Sequence, residues 1–222
     1  MRYYSEKLSA ERLKRCYEIA SPRVRQYLDA EVSHVLTKIT DGDKILDLGC
    51  GYGRVLENLY SKTSRVYGID TSISSLTMAK NNISKFPKCG LFMMDAVSSG
   101  FKDDIFDIVF CIQNGISVFN VDKLSLISES IRVTRPGGLV MFSSYSAKFW
   151  PYRLEWFEAQ AKEGLLGEID YEKTCDGKIV CKDGFKSTTV SADEFRTLVK
   201  RLNLKAEIIE VDESCLFCEI SV

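Results

Sequence analysis

From residue 44 to residue 140 the sequence repeats one pattern, in which a short β-branched or apolar run is followed by a stretch with apolar residues at helical spacing. Runs at 44–48, 65–69, 90–94, 106–112 and 138–143 read as strands, and 52–61, 72–84 and 121–133 as the helices between them. Leu124, Ile127 and Ile131 lie three and four residues apart, so they share one helical face. Strands joined by helices of this length are connected by crossovers and lie parallel in one sheet. The pattern therefore predicts an α/β three-layer sandwich with helices on both sides of a mostly parallel sheet.

The flanks extend this body. Residues 10–20 and 23–39 read as two helices broken at Ser21-Pro22, since proline suits a first helical turn. Leu28, Val32, Val35, Leu36 and Ile39 give the second helix one apolar stripe, which leaves Glu31, His34 and Lys38 for an expected solvated face. Residues 145–164 are aromatic and helical in pattern, followed by alternating segments at 168–174, 178–182 and 185–190, with Asp176-Gly177 as a hairpin turn. Ser191 and Glu194 form a capping box ahead of a helix carrying Phe195, Leu198, Val199 and Leu202. The last strands, 205–211 and 215–222, are too close in sequence for a crossover and should pair antiparallel. The 222 residues suit one domain: a helical cap at 1–40, a ligand-binding core at 41–145, an insertion at 146–190, and a closing helix and hairpin at 191–222.

Composition narrows the function. Thirty Lys and Arg against 31 Asp and Glu leave a formal charge of −1, with no field to draw in nucleic acid or an anionic membrane. A small-molecule partner is the expectation; the sequence leaves oligomeric state open. No run reaches the ~18 apolar residues of a membrane span, and no basic, apolar leader follows Met1, so a cytoplasmic location is expected. The eight cysteines are scattered and read as thiols. Cys215 and Cys218 have knuckle spacing, but residues three apart in a strand face opposite ways, so no metal site is expected.

Chemistry concentrates at the strand ends. The first strand runs into Asp47-Leu48-Gly49-Cys50-Gly51-Tyr52-Gly53, a turn where backbone can approach a ligand closely and free amides face it. Glycines at 49, 51 and 53 differ from the dinucleotide fingerprint, which puts its third glycine where Arg54 stands. Asp70 ends the second strand, where a carboxylate can accept both hydroxyls of a ribose. Asp95, followed by Ala96, ends the third, where an acid can accept from an adenine amino group. Each alone could be a cap or turn residue. Acids at three successive strand ends, where open parallel sheets bind ligands, form one site more readily than three separate turns.

Taken in order, residues 44–53, Asp70, Asp95, Phe106-Asp107-Ile108-Val109 and Arg135-Pro136-Gly137-Gly138 resemble the motifs of class I S-adenosylmethionine-dependent methyltransferases. The resemblance spans most of 44–145. It implies a seven-stranded sheet in the order 3-2-1-4-5-7-6 with the last strand antiparallel, and S-adenosyl-L-methionine as cofactor. It also implies that Asp47, Gly49, Cys50, Gly51 and Gly53 border the methionine moiety, Asp70 and Thr71 the ribose, and Asp95 with Ala96 the adenine. Gln113 and Asn114 would then lie beside the sulfonium, in a segment similar to that of small-molecule N-methyltransferases.

The implied reaction is in-line methyl transfer to N, O or S of a small acceptor, which needs positioning more than a catalytic triad. Tyr3, Tyr4, Tyr145, Phe149, Trp150, Tyr152 and Trp156 are the aromatics available to shape the acceptor pocket, with Tyr4, Tyr145, Trp150 and Tyr152 as the leading substrate candidates. His34, the only histidine, is the default general base by its ordinary pKa, although its helix face points to solvent exposure. The Asn/Asp-Pro-Pro-Tyr/Phe run of nucleic-acid amine methyltransferases is absent after the fourth strand. Two other readings stay open: a nicotinamide-dependent oxidoreductase, and a protein that binds S-adenosylmethionine without turnover.

Overall fold

A computed structural model describes residues 3, 7–85, 89–175 and 177–222. Five parallel strands form the left and centre of one sheet: β1 (Lys44–Leu48), β2 (Arg65–Asp70), β3 (Gly90–Met93), β4 (Phe106–Cys111) and β5 (Thr134–Tyr145). Two short strands, β6 (Ile179–Val180) and β7 (Lys186–Ser187), pair apart from it, and β8 (Ala206–Val211) and β9 (Cys215–Ser221) complete it. The order is β3-β2-β1-β4-β5-β9-β8, with β9 antiparallel to both neighbours. Counting only the strands of this sheet, that is the order 3-2-1-4-5-7-6.

Alternation along the strands divides the core in two. Ile45, Phe110 and Phe217 face the layer built by α1 (Ala10–Glu18), α2 (Pro22–Lys38), α3 (Leu56–Leu59) and α4 (Ile73–Asn82). Leu46, Val109 and Cys218 face α6 (Lys123–Val133) and α8 (Ala192–Arg201), while the single turn α5 (Gly115–Val118) follows β4. Cys215 and Cys218 consequently sit in different layers, and no group of three potential metal ligands occurs among the described residues. Among those residues, no helix is long and apolar enough to cross a membrane.

Several elements begin where local chemistry demands. Pro22 opens α2, and the Ser191 hydroxyl accepts the Glu194 amide at 3.2 Å to cap α8. Asp107 accepts the Lys44 amide at 2.7 Å and the Arg135 guanidinium, so the Phe106–Val109 and Arg135–Gly138 motifs staple the starts of β1, β4 and β5. They work at the end of the sheet opposite the strand-end acids.

Three sequence expectations need correction. The helix expected at 52–61 is a single turn, Leu56–Leu59, because the glycine turn continues through residue 55. The insertion's alternating segments yield only β6, β7 and isolated bridges such as Ile169 with Cys181; Asp176 of the expected hairpin turn lies outside the described residues. The polar face of α2 packs partly against the sheet and is not fully solvated. Glu31 is fully buried, and His34 Nε2 lies 2.5 Å from Glu219 Oε1 on β9, with Lys38 Nζ 2.7 Å from Oε2. A helix pattern shows which residues are polar, but their partners come from a strand nearly 200 residues away.

Arg153 provides the second buried charge. It lies on α7 (Trp150–Lys162), which follows a short 3-10 turn (Ala147–Phe149). Its guanidinium sits 4.5 Å from the Tyr145 ring and 5.5 Å from Phe157, and donates to the Gly177 carbonyl and to Ser187 O and Oγ at 3.0 and 2.9 Å. One side chain thus ties two later points of the insertion, Gly177 and Ser187, to α7. Arg153→Ala should cost about 3 kcal/mol of stability by orphaning buried acceptors and opening a cavity. Chemical denaturation checks this, and a loss under about 1 kcal/mol would remove Arg153 as the insertion's anchor.

Candidate functional site

The C-terminal ends of β1, β2, β3 and β4 open onto one cavity of about 710 Å³, a size suited to a small molecule. Gly49, Gly51, Asp70, Thr71, Asp95, Ala96 and Gln113 line it. Topology explains this convergence: the sheet order reverses between β1 and β4, and the loops leaving those strands diverge to opposite faces.

The glycine turn is held from the second strand. The amides of Gly49 and Cys50 donate to Ile69 O at 2.9 and 3.0 Å, and Gly51 N donates to Asp70 Oδ2 at 3.0 Å. Gly49, Gly51 and Gly53 have φ of 79°, 54° and 83°, in the left-handed region that side chains disfavour. Asp70 Oδ1 also accepts the Ser72 amide at 2.7 Å. Burial raises the Asp70 carboxyl's pKa, while the amides of Ser72, Gly51 and Thr71 counter it.

Asp70 therefore both fixes the turn and presents remaining acceptor capacity to the cavity. Asp70→Ala should weaken cofactor binding by roughly 1 to 3 kcal/mol, and should loosen the turn as well. Titration with S-adenosylhomocysteine checks it; full affinity in a folded variant removes the assignment.

The remaining candidates separate by position. Asp47 is buried beneath the turn and does not line the cavity; burial pushes its carboxyl up to about 8, with Arg54 opposing and Asp70 adding to the rise. The Cys50 thiol lies against Gly68, where a Cβ would come within 2.8 Å of Sγ. Its part in any site is through the backbone. Asn114 is also buried, with Nδ2 donating to Thr188 O at 2.7 Å and Oδ1 accepting from Ser144 Oγ at 2.8 Å. Its amide serves the insertion, not the cavity.

Gln113 and Asn114 both adopt positive φ, 55° and 61°, an arrangement non-glycine residues take only when surroundings enforce it. Here Glu31 Oε1 accepts the Gln113 amide at 3.2 Å, and Thr188 and Ser144 hold Asn114. The bend turns the Gln113 side chain toward the Tyr17 hydroxyl, 2.5 Å away, and its other end faces Arg54. That neighbour puts the amide oxygen toward the guanidinium and the NH2 toward Tyr17. Arg54 in turn lies 5.0 Å from the Tyr17 ring.

Over the cavity, α1 meets the insertion. Arg12 Nη2 donates to the carbonyls of Gly164 and Leu165 at 2.8 and 2.9 Å, and Trp156 Nε1 donates to Cys16 O at 2.8 Å. The Tyr3 hydroxyl donates to Asp183 Oδ2 at 2.5 Å. Of the aromatics expected to form the acceptor side, Tyr145 lines the cavity, whereas Trp150 and Tyr152 do not. Tyr152 is 42% exposed with the Arg23 guanidinium over its ring, and Trp150 packs beside Arg153. Helix α7 rotates them away. Tyr4 lies outside the described residues. Tyr3 and Trp156, also offered by the sequence, do line it, together with Tyr17, Tyr27 and Phe157. The available sequence signal was the polar and aromatic row Tyr27, Glu31, His34 on α2, at four- and three-residue spacing.

Sheet order, glycine turn and strand-end acids are arranged as in class I S-adenosylmethionine-dependent methyltransferases, which the chain resembles. Residues 45–138 match the family model described as "Methyltransferase domain". The chain is 31% identical over 107 residues to demethylmenaquinone methyltransferase from Lysinibacillus sphaericus, covering 46% of this chain and 44% of that protein. It is 30% identical over 124 residues to ubiquinone biosynthesis O-methyltransferase from Hydrogenovibrio crunogenus, covering 55% and 51%. The chain thus spans about half the length of these curated relatives. Among solved structures, the N-methyltransferase NodS from Bradyrhizobium japonicum, in complex with S-adenosyl-L-homocysteine, shares the fold with a TM-score of 0.61 at 16% identity, covering 99% and 97%.

Proposed function

We propose that this chain transfers the methyl group of S-adenosylmethionine to a small-molecule acceptor. The single observation that carries the reading is one cavity bordered by Gly49, Gly51, Asp70, Asp95 and Gln113 at its strand-end side and by Tyr17, Tyr27, Tyr145 and Trp156 at the other.

The residues present fit the cofactor. Asp70 and Asp95 offer carboxylate oxygens where ribose hydroxyls and an adenine amino group need acceptors, and Gly49 and Gly51 leave room for a close backbone approach. Asp47 would support the methionine end from beneath. When bound, S-adenosylmethionine supplies an activated methyl group on a sulfonium. The chain's own contribution is to orient the two reactants, to exclude water beneath α1 and the insertion, and to set aromatic faces around the transfer point. Relatives that methylate at O and the N-methyltransferase neighbour support an oxygen or nitrogen acceptor.

The whole chain reads as one domain, with 1–40 and 146–190 enclosing the acceptor side and 191–222 closing the sheet. A cytoplasmic location fits this reading. The experiment is calorimetric titration with S-adenosylhomocysteine and, in parallel, with NAD. Binding of S-adenosylhomocysteine alone supports the proposal, and binding of NAD alone ends it. Cofactor consumption over amines, phenols, thiols and carboxylates separates turnover from simple binding.

A further inference from the structure

Two polar atoms beside the cavity are buried without a hydrogen-bond partner: the Tyr27 hydroxyl and Glu31 Oε2. Such atoms lose their water without gaining a bond of ordinary geometry, so each calls for an explanation. They belong to one group. Tyr27 and Glu31 are four residues apart on α2, on the same helix face, and Tyr27 lines the cavity.

The other oxygen of Glu31 is committed. Oε1 accepts the Gln113 amide at 3.2 Å and the Ser143 hydroxyl at 2.5 Å, which fixes the carboxyl between β4 and β5. The Tyr27 ring is fixed as well, with centroids 5.2 Å from Tyr145 and 4.9 Å from Phe149. Tyr27 and the Glu31 carboxyl act on one another and Tyr27 also acts on Tyr145, and of the pair it is Tyr27 that lines the cavity.

We infer that Tyr27 and Glu31 form the proton-accepting end of the acceptor chamber, and that the acceptor is a hydroxyl or amine on a flat, largely apolar scaffold. The inference rests on the methyltransferase reading proposed above and adds the acceptor's class. Leu8, Leu13, Leu28, Trp156 and Phe157 supply the apolar walls for such a scaffold. A hydroxyl or protonated amine must shed a proton at or before transfer, whereas a thiol ionises readily by itself near neutral pH.

Tyr27 is the residue that meets the acceptor; Glu31 acts through it as a positioning and proton-holding residue. As the new carbon–oxygen or carbon–nitrogen bond forms, the carbon–sulfur bond breaks and leaves its electron pair on sulfur. The acceptor's proton passes to the Tyr27 hydroxyl while that hydroxyl's own proton passes to the Glu31 carboxylate. Glu31 ends as the neutral acid and later releases the proton to solvent.

The surroundings suit that cycle. The titratable and charged groups facing Glu31 are Tyr27 on α2, Arg54 after β1, Cys111 on β4, Tyr145 on β5 and Cys215 on β9. Burial pushes the Glu31 carboxyl up to about 7, and Ser143, Tyr27, Arg54 and the Gln113 amide limit the rise. A group so poised can take and return a proton near neutrality.

The test uses the full chain saturated with S-adenosylhomocysteine, titrated calorimetrically with phenol, anisole, aniline and N,N-dimethylaniline. Phenol or aniline should bind at least about tenfold tighter than its methylated counterpart, because only the former donates to Tyr27. Glu31→Gln keeps an acceptor for Gln113 and Ser143 but cannot hold the proton, and Tyr27→Phe removes the hydroxyl while keeping the ring. Each should reduce the preference to about twofold or less, with S-adenosylhomocysteine affinity retained. In the wild type the preference should change between about pH 6 and about pH 8, and Glu31→Gln should abolish that dependence. Equal binding of the methylated probes, no probe binding, or an unchanged preference in folded Tyr27→Phe overturns the inference. Failure of the wild type to bind S-adenosylhomocysteine is a separate result, which removes the cofactor reading and this inference with it.

Discussion

Replacing Gly49 with valine should abolish measurable S-adenosylhomocysteine binding and cost about 3 kcal/mol or more of stability. The backbone there has φ of 79°, a conformation that a β-branched residue resists. Space is also lacking: a Cβ would stand 2.5 Å from Phe119 Cζ. The valine must push the Phe119 ring into the cavity that Phe119 and Gly49 both line, or the turn must rotate and break its amide bonds to Ile69. Either response damages the site. At Gly51 the demand is weaker, since a Cβ would meet only Leu13 Cδ2 at 3.3 Å, and so Gly51→Ala should be the milder change. Calorimetry with chemical denaturation checks both. Wild-type binding by folded Gly49→Val would mean that the turn does not border the cofactor.

The second large effect is a fall in stability as pH rises. Asp47 and Glu31 are fully buried carboxyls held at about 8 and about 7 by burial, far above their unfolded values. Between about pH 4.5 and about pH 8 the folded chain therefore retains protons that the unfolded chain releases. Binding more protons when folded makes stability greatest at the acidic end of that window. It is lost progressively up to about pH 8, by several kcal/mol for the two groups together. Glu129 acts oppositely: Arg132 and Ser99 hold its carboxyl down to about 2 against burial, and its contribution disappears only below about pH 4.5. Denaturation between about pH 5 and about pH 7.5 isolates the first effect, because the unfolded thiols begin to ionise only above it. Asp47→Asn and Glu31→Gln should each flatten the slope. Constant or rising stability across the window would show that neither carboxyl is protonated in the folded chain.

Much of the sheet was legible because parallel strands buried on both faces must be apolar and their crossovers must be helices of limited length. The boundaries of β1 to β4 follow the apolar runs to within a residue. Gly49, Gly51, Asp70, Asp95 and Gln113 were legible for a related reason: the end of each strand in sequence is also the rim of the site in space. The acceptor side has no such rule. Tyr145 reaches the cavity and Tyr152 does not, because the orientation of α7 depends on Arg153 and its bonds to Gly177 and Ser187.

Glu31 and Arg153 show why the rest stayed hidden. Glu31 was expected on a solvated face, since a charged residue in an amphipathic helix is ordinarily placed there. Whether a charge can be buried depends on what meets it. Ser143 and the Gln113 amide reach Glu31 from strands more than 80 residues away, and an aromatic enclosure receives Arg153. The sequence by itself determined the parallel sheet, the glycine turn and the acids at the strand ends, because local spacing and backbone freedom encode them. The tertiary structure alone decided which aromatics face the acceptor and where buried charge sits, because both depend on contacts between segments far apart in the chain.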